Sequence, residues 1–73
     1  MNTKEPQVKN RLKELRTSRE LTQEQLADLT GVHQVNICKI ETGTRPLSGK
    51  SLLKLSRFFD INPMVLLGEK NIE

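Results

Sequence analysis

Residues 21–43, LTQEQLADLTGVHQVNICKIETG, decide the fold of this chain. They read as two short helices joined by a tight turn. Thr22 is a helix-capping residue type and Gln25 stands three positions on, the spacing at which the two satisfy each other's backbone N–H groups. Gly31 falls where the chain must turn sharply, because glycine takes left-handed backbone angles without steric cost. Together they describe a helix-turn-helix, a motif whose second helix lies in the DNA major groove.

Outward from this stretch, every other segment also reads as helix or connector. Residues 1–6 are polar, end in Pro6 and are expected to form a flexible arm. From Gln7, apolar residues at Val8, Leu12 and Leu15 mark one face of a first helix that stops between Ser18 and Glu20. The second helix is expected over Thr22–Leu29 with Leu26 and Ala27 inward. The third is expected over Gln34–Glu41, closed by Gly43 after Thr42. Ser48 is placed to cap a fourth helix, whose inward stripe is Leu52, Leu55 and Phe59. Asn62-Pro63 pairs a good cap with proline at a first helical position, and the last helix, Pro63–Leu67, stops at Gly68. No hairpin signal or internal repeat interrupts the pattern. The expected class is all-α, a compact five-helix bundle over residues 7–68 with a tail at 69–73.

Size and composition narrow the function. A chain of 73 residues holds one domain. One Cys and one His allow neither an internal disulfide nor a zinc-type ligand set, so no metal and no cofactor is expected. The lone thiol fits a reducing compartment. No catalytic constellation of Ser, His, Asp or paired carboxylates stands out, and the reading is not an enzyme. Neither a membrane-spanning apolar run nor a signal-peptide core occurs, which points to a cytoplasmic protein. The only aromatics, Phe58 and Phe59, are too few for the base-stacking platform of single-strand binders. The net charge is +3. Between Gly31 and Arg57, however, Lys39, Arg45, Lys50, Lys54 and Arg57 face Glu41 alone, a local excess of five minus one, or +4. A basic segment that starts at the reading helix matches the footprint of a DNA-contacting surface.

On a helical wheel of about 100° per residue starting at Gln34, Cys38, Val35 and Lys39 fall at roughly 40°, 100° and 140°. Ile37 and Ile40 fall at about 300° and 240°, on the opposite side. The isoleucines therefore anchor the helix, and Gln34, Val35, Cys38 and Lys39 share its outward face. Gln34 can donate to and accept from the adenine edge, and Val35 can pack on a thymine methyl. Lys39 can reach guanine or a phosphate. Cys38 either touches DNA or is only small enough not to obstruct it. His33, at the helix start, is a capping or surface side chain, or a donor to a phosphate or base edge.

The residues LTQEQLA at 21–27, Gly31-Val32, Ile37, Ile40-Glu41, Gly43 and LLKL at 52–55 resemble the Cro/cI phage-repressor (Xre-type) helix-turn-helix family. The resemblance runs from about Val8 to Leu67. It implies a lambda-repressor-like DNA-binding domain of five helices, acting as a homodimer on a palindromic double-stranded operator. It further implies that Gln23 binds a phosphate and braces Gln34, and that Arg16 forms a structural salt bridge with Glu41. Phosphate contacts are implied for Thr22 at the second helix, and for Thr42, Gly43, Thr44 and Arg45 after the third.

Two departures stand out against that family. His33 occupies a position usually held by Ser or Thr. Phe58, Met64 and Val65 replace residues that are often small or polar, and they are candidates for a self-complementary dimer patch, with core packing as the alternative for Phe58. The resulting expectation is a transcriptional regulator, a repressor in the leading reading, with all 73 residues used by the DNA-binding bundle. Two other roles use the same fold: an antitoxin that binds a toxin protein and autoregulates its operon, and a restriction–modification controller.

Overall fold

The computed structural model describes residues 10–68, so the proposed arm (1–6), the helix-opening residues Gln7 and Val8, and the tail (69–73) lie outside the described residues. Five helices follow one another: α1 (Leu12–Ser18), α2 (Gln23–Thr30), α3 (Gln34–Thr42), α4 (Gly49–Phe59) and α5 (Pro63–Leu66). Among the described residues there is no strand.

The local signals around the motif operate as chemistry. Thr22 Oγ1 accepts from the Gln25 N–H at 3.0 Å, and Gln25 Oε1 accepts from the Thr22 N–H at 2.9 Å, closing the capping box. Gly31 ends α2 with φ 81°, and Gly43 ends α3 with φ 86°, both in the left-handed region that a Cβ disfavours. Asn62 caps α5 by accepting from the Met64 N–H at 2.8 Å, with Pro63 directly behind it.

Helix α2 is shifted one residue on from the expected Thr22–Leu29 and α3 runs one residue beyond the expected Glu41, and three further details differ from the sequence reading. First, α1 begins at Leu12 and not at Gln7, because Asn10 and Arg11 are held in non-helical positions. Asn10 Oδ1 accepts from the Leu12 N–H at 2.9 Å, Asn10 Nδ2 donates to the Ile40 carbonyl at 3.1 Å, and the Arg11 N–H donates to the Leu66 carbonyl at 2.9 Å. The start of α1 is thus tied to the ends of α3 and α5. Second, Ser48 occupies the cap position of α4, but its side chain makes no capping bond, and Gly49 after it has φ 59°. Third, α5 ends at Leu66, one residue early, with Gly68 at φ 83°.

The core is built from one or two residues of each helix. Leu12, Leu26, Ile37, Ile40, Leu55, Phe59 and Leu66 are fully buried, and Val32 and Leu47 join them from the connections. Burying each large side chain contributes about 1.5–3 kcal/mol. The inward residues Leu52 and Ala27 are only partly buried, packed against this cluster. Two non-glycine residues take left-handed angles, Glu20 (φ 58°) after α1 and Asp60 (φ 57°) at the end of α4.

Asn10 allows a direct test of the tie between helices. Asn10→Ala should destabilise the domain by about 1–2 kcal/mol through loss of the bonds to the Leu12 N–H and the Ile40 carbonyl. Asn10→Asp keeps the acceptor for the Leu12 N–H and should recover part of that loss in urea unfolding. Equal midpoints for all three proteins would show that the Asn10 bonds carry no net stability.

Candidate nucleic-acid interface

Helix α3 presents its faces as the wheel requires. Ile37 and Ile40 are buried, while Gln34, Val35, Cys38 and Lys39 are all exposed. Val35 keeps 53% of its surface open although it is apolar and β-branched. A polar face with one methyl-bearing side chain near its start is suited to a groove that displays both hydrogen-bonding edges and thymine methyls. His33 precedes the helix and acts as its cap, with Nδ1 accepting from the Val35 N–H at 3.2 Å. That bond leaves the neutral ring with its proton on Nε2, as an outward donor. The imidazole thus does what Ser or Thr does at this position, with one donor to spare.

The position of this face is set by a mostly buried ion pair. Arg16 Nε donates to Glu41 Oε2 at 2.6 Å and Arg16 Nη2 to Glu41 Oε1 at 3.1 Å, a bidentate fork. Arg16 Nη1 donates to the Leu21 carbonyl at 2.6 Å. The Glu41 side chain is 3% exposed and that of Arg16 12%. The hydrogen bonds to Glu41 raise the Arg16 pKa from its ordinary value, against the opposing effect of desolvation. The structural salt bridge implied for these two residues is therefore present, and it links α1, the α1–α2 connection and α3.

Gln23 joins the same group, donating from Nε2 to Glu41 Oε1 at 3.0 Å. The brace expected between Gln23 and Gln34 is not formed, and no hydrogen bond joins these two side chains. The carboxylate of Glu41 already needs donors in a nearly dry site, and the Gln23 amide supplies one.

The implied phosphate-binding residues fall in two places. Thr22 and Gln23 open α2, and the Thr22 hydroxyl, which accepts from Gln25, retains its own proton for donation. Thr42, Gly43, Thr44 and Arg45 form the connection after α3. There the backbone donors are already used: Gly43 N–H reaches the Ile40 carbonyl at 3.2 Å, and the N–H groups of Thr44 and Arg45 reach the Lys39 carbonyl at 2.9 and 3.2 Å. The Thr42 and Thr44 hydroxyls approach the same carbonyl at 3.1 and 3.2 Å. What this connection offers a phosphate is its side chains, the rotatable hydroxyls and the exposed Arg45 guanidinium. Among the described residues no group of His, Cys, Asp or Glu is placed to hold a metal ion, and no helix is long and apolar enough to cross a membrane.

The basic segment divides in space. Lys39 and Arg45 belong to α3 and its following connection, whereas Lys50, Lys54 and Arg57 line a groove between the end of α2 and α4. The three candidate patch residues also differ among themselves. Met64 is exposed, Val65 is half-buried, and Phe58 packs edge-on against Phe59 at 5.0 Å and 80°. Residues that the sequence did not single out support this end of the bundle. The Arg19 guanidinium lies 5.7 and 5.1 Å from the centroids of Phe58 and Phe59 and donates to the Phe59 carbonyl at 3.3 Å. Two adjacent aromatics in a chain with no others were the available signal for that contact.

A family model described as a helix-turn-helix matches residues 12–66, from the first residue of α1 to the last of α5. No curated protein matches the chain.

Removing one partner of a buried pair leaves the other uncompensated, so Glu41→Ala should lower stability by about 3–5 kcal/mol. A urea midpoint within error of wild type would overturn the structural role. At the other end of α3, His33→Ala should cost about 0.5–2 kcal/mol, with His33→Ser close to wild type.

Proposed function

The chain belongs to the Cro/C1-type, Xre-like helix-turn-helix family of DNA-binding regulators, and from that premise we propose that it is a transcriptional repressor acting as a homodimer on an inverted-repeat operator. The observation that carries this reading is the exposed face of Gln34, Val35, Cys38 and Lys39 on a helix that Ile37, Ile40 and Glu41 hold against the bundle. A reading helix is useful only if its angle to the domain is fixed, and α3 is fixed along its inner face by the buried Ile37 and Ile40 and near its C-terminal end by the Arg16–Glu41 pair.

In this proposal Gln34, Val35 and Lys39 read base edges, with Cys38 close to the groove floor. Thr22, Gln23, the His33 Nε2–H and the side chains of Thr42, Thr44 and Arg45 grip the sugar–phosphate backbone, with Gly43 shaping the connection. Such contacts set register without reading sequence. Gln23 carries out its part either by bridging Glu41 to a phosphate or by exchanging one for the other. Met64 and Val65 supply the two-fold contact, with Phe58 behind them, and the two α3 helices enter successive major grooves about 34 Å apart.

Selection of bound sequences from random duplexes tests the reading as a whole: an inverted repeat is expected, and no enrichment would overturn sequence-specific binding. On the selected site, Gln34→Ala should cost about 1–3 kcal/mol and relax preference at one base pair. Equal weakening on every sequence would remove Gln34 from base reading. The affinity should fall steeply with added salt as phosphate contacts release counterions. In sedimentation, a Met64→Asp, Val65→Asp variant should run as a monomer where wild type runs as a dimer, and an unchanged species would exclude this patch.

A further inference from the structure

One groove on the described surface lies away from the residues proposed to read bases. It runs between the C-terminal end of α2 and the outer face of α4, with a volume of about 460 Å³. Leu29 and Leu53 form its apolar walls and are 59% and 51% exposed, the two most open leucines among the large exposed hydrophobics. Lys50, Lys54 and Arg57 surround them. No carboxylate lines the groove, and none of the three cations forms a salt bridge among the described residues. No residue of α3 or of the connection after it takes part.

We propose that this groove docks an acidic amphipathic segment of a partner protein, with apolar side chains on Leu29 and Leu53 and carboxylates on Lys50, Lys54 and Arg57. Charge and apolar surface together select this occupant. A second copy of the chain related by a two-fold axis would bring the same three cations against their own counterparts, and like charges in juxtaposition oppose association. A DNA backbone would match the cations but offers nothing apolar to cover two half-open leucines. A helix with apolar residues one turn apart and acids on either side satisfies both halves of the groove. The groove is separate from the operator-reading face, so a segment bound there is compatible with the protein on DNA.

The test is selection from a displayed library of random peptides of about 15 residues, long enough to hold a helix on a surface, against the full chain. The expected winners carry net negative charge with apolar residues at helical spacing. They should lose about tenfold or more in affinity on a Leu29→Ser, Leu53→Ser variant, whose operator binding and circular dichroism stay as in wild type. They should also weaken on Lys54→Gln, Arg57→Gln. The proposal is overturned if no peptide is enriched, if the winners are not acidic, or if they bind the leucine variant as well as wild type. It is also overturned in favour of nucleic acid if duplex DNA displaces the winners and itself loses affinity on the leucine variant. Because these readouts use peptide binding, they remain decisive even if the operator-reading proposal fails.

Discussion

The structure depends on a single carboxylate. Glu41 sits near the end of α3, almost dry, and receives the forked guanidinium of Arg16 together with the amide of Gln23. The same guanidinium also satisfies the carbonyl of Leu21, so one cluster of four groups closes α1, the α1–α2 connection, α2 and α3 on each other. A hydrophobic core holds helices together without fixing how each is rotated, since dispersion and burial are not directional. Hydrogen bonds with a fixed fork geometry are directional. The isoleucines of α3 hold that helix in the bundle, and Glu41 fixes its rotation.

A second constraint works at the opposite end of α1. Asn10 holds the start of α1 against the Ile40 carbonyl, one residue before Glu41. Its neighbour Arg11 ties the backbone to Leu66 at the close of α5. The first helix is therefore clamped at its entrance to both α3 and α5. Through α1 the proposed dimer end and the proposed DNA face share a rigid support.

Features whose chemistry is local were legible in the sequence. The Thr22–Gln25 box, the glycines at 31 and 43, and Asn62-Pro63 each operate within a few residues, and each stands where the spacing placed it. The alternation of Ile37 and Ile40 with the exposed residues of α3 was legible for the same reason. The Arg16–Glu41 pair came from family resemblance, since 25 residues separate its members. Long-range partners with no such precedent were missed. Nothing near Asn10 signals a bond to a carbonyl 30 residues away, and a helix period extended back to Val8 hides the residue that starts the helix. Gln23 donates to Glu41 Oε1, an oxygen that also accepts from Arg16, because a carboxylate in a nearly dry site gains from each further donor. Nothing in the residue types of Glu20 and Asp60 signals their left-handed angles, since neither is glycine.

The carbonyl of Lys39 gathers donors from both threonines and two backbone amides of the connection that follows. Its side chain stands exposed on the face proposed to read bases. The residue thus links two tasks proposed for this region, specifying a base and seating a phosphate. Energies measured at Lys39 and Thr44 will not add, because a shift in the connection moves the backbone from which the lysine reaches. In the proposed complex, affinity and selectivity are thereby coupled at one peptide group.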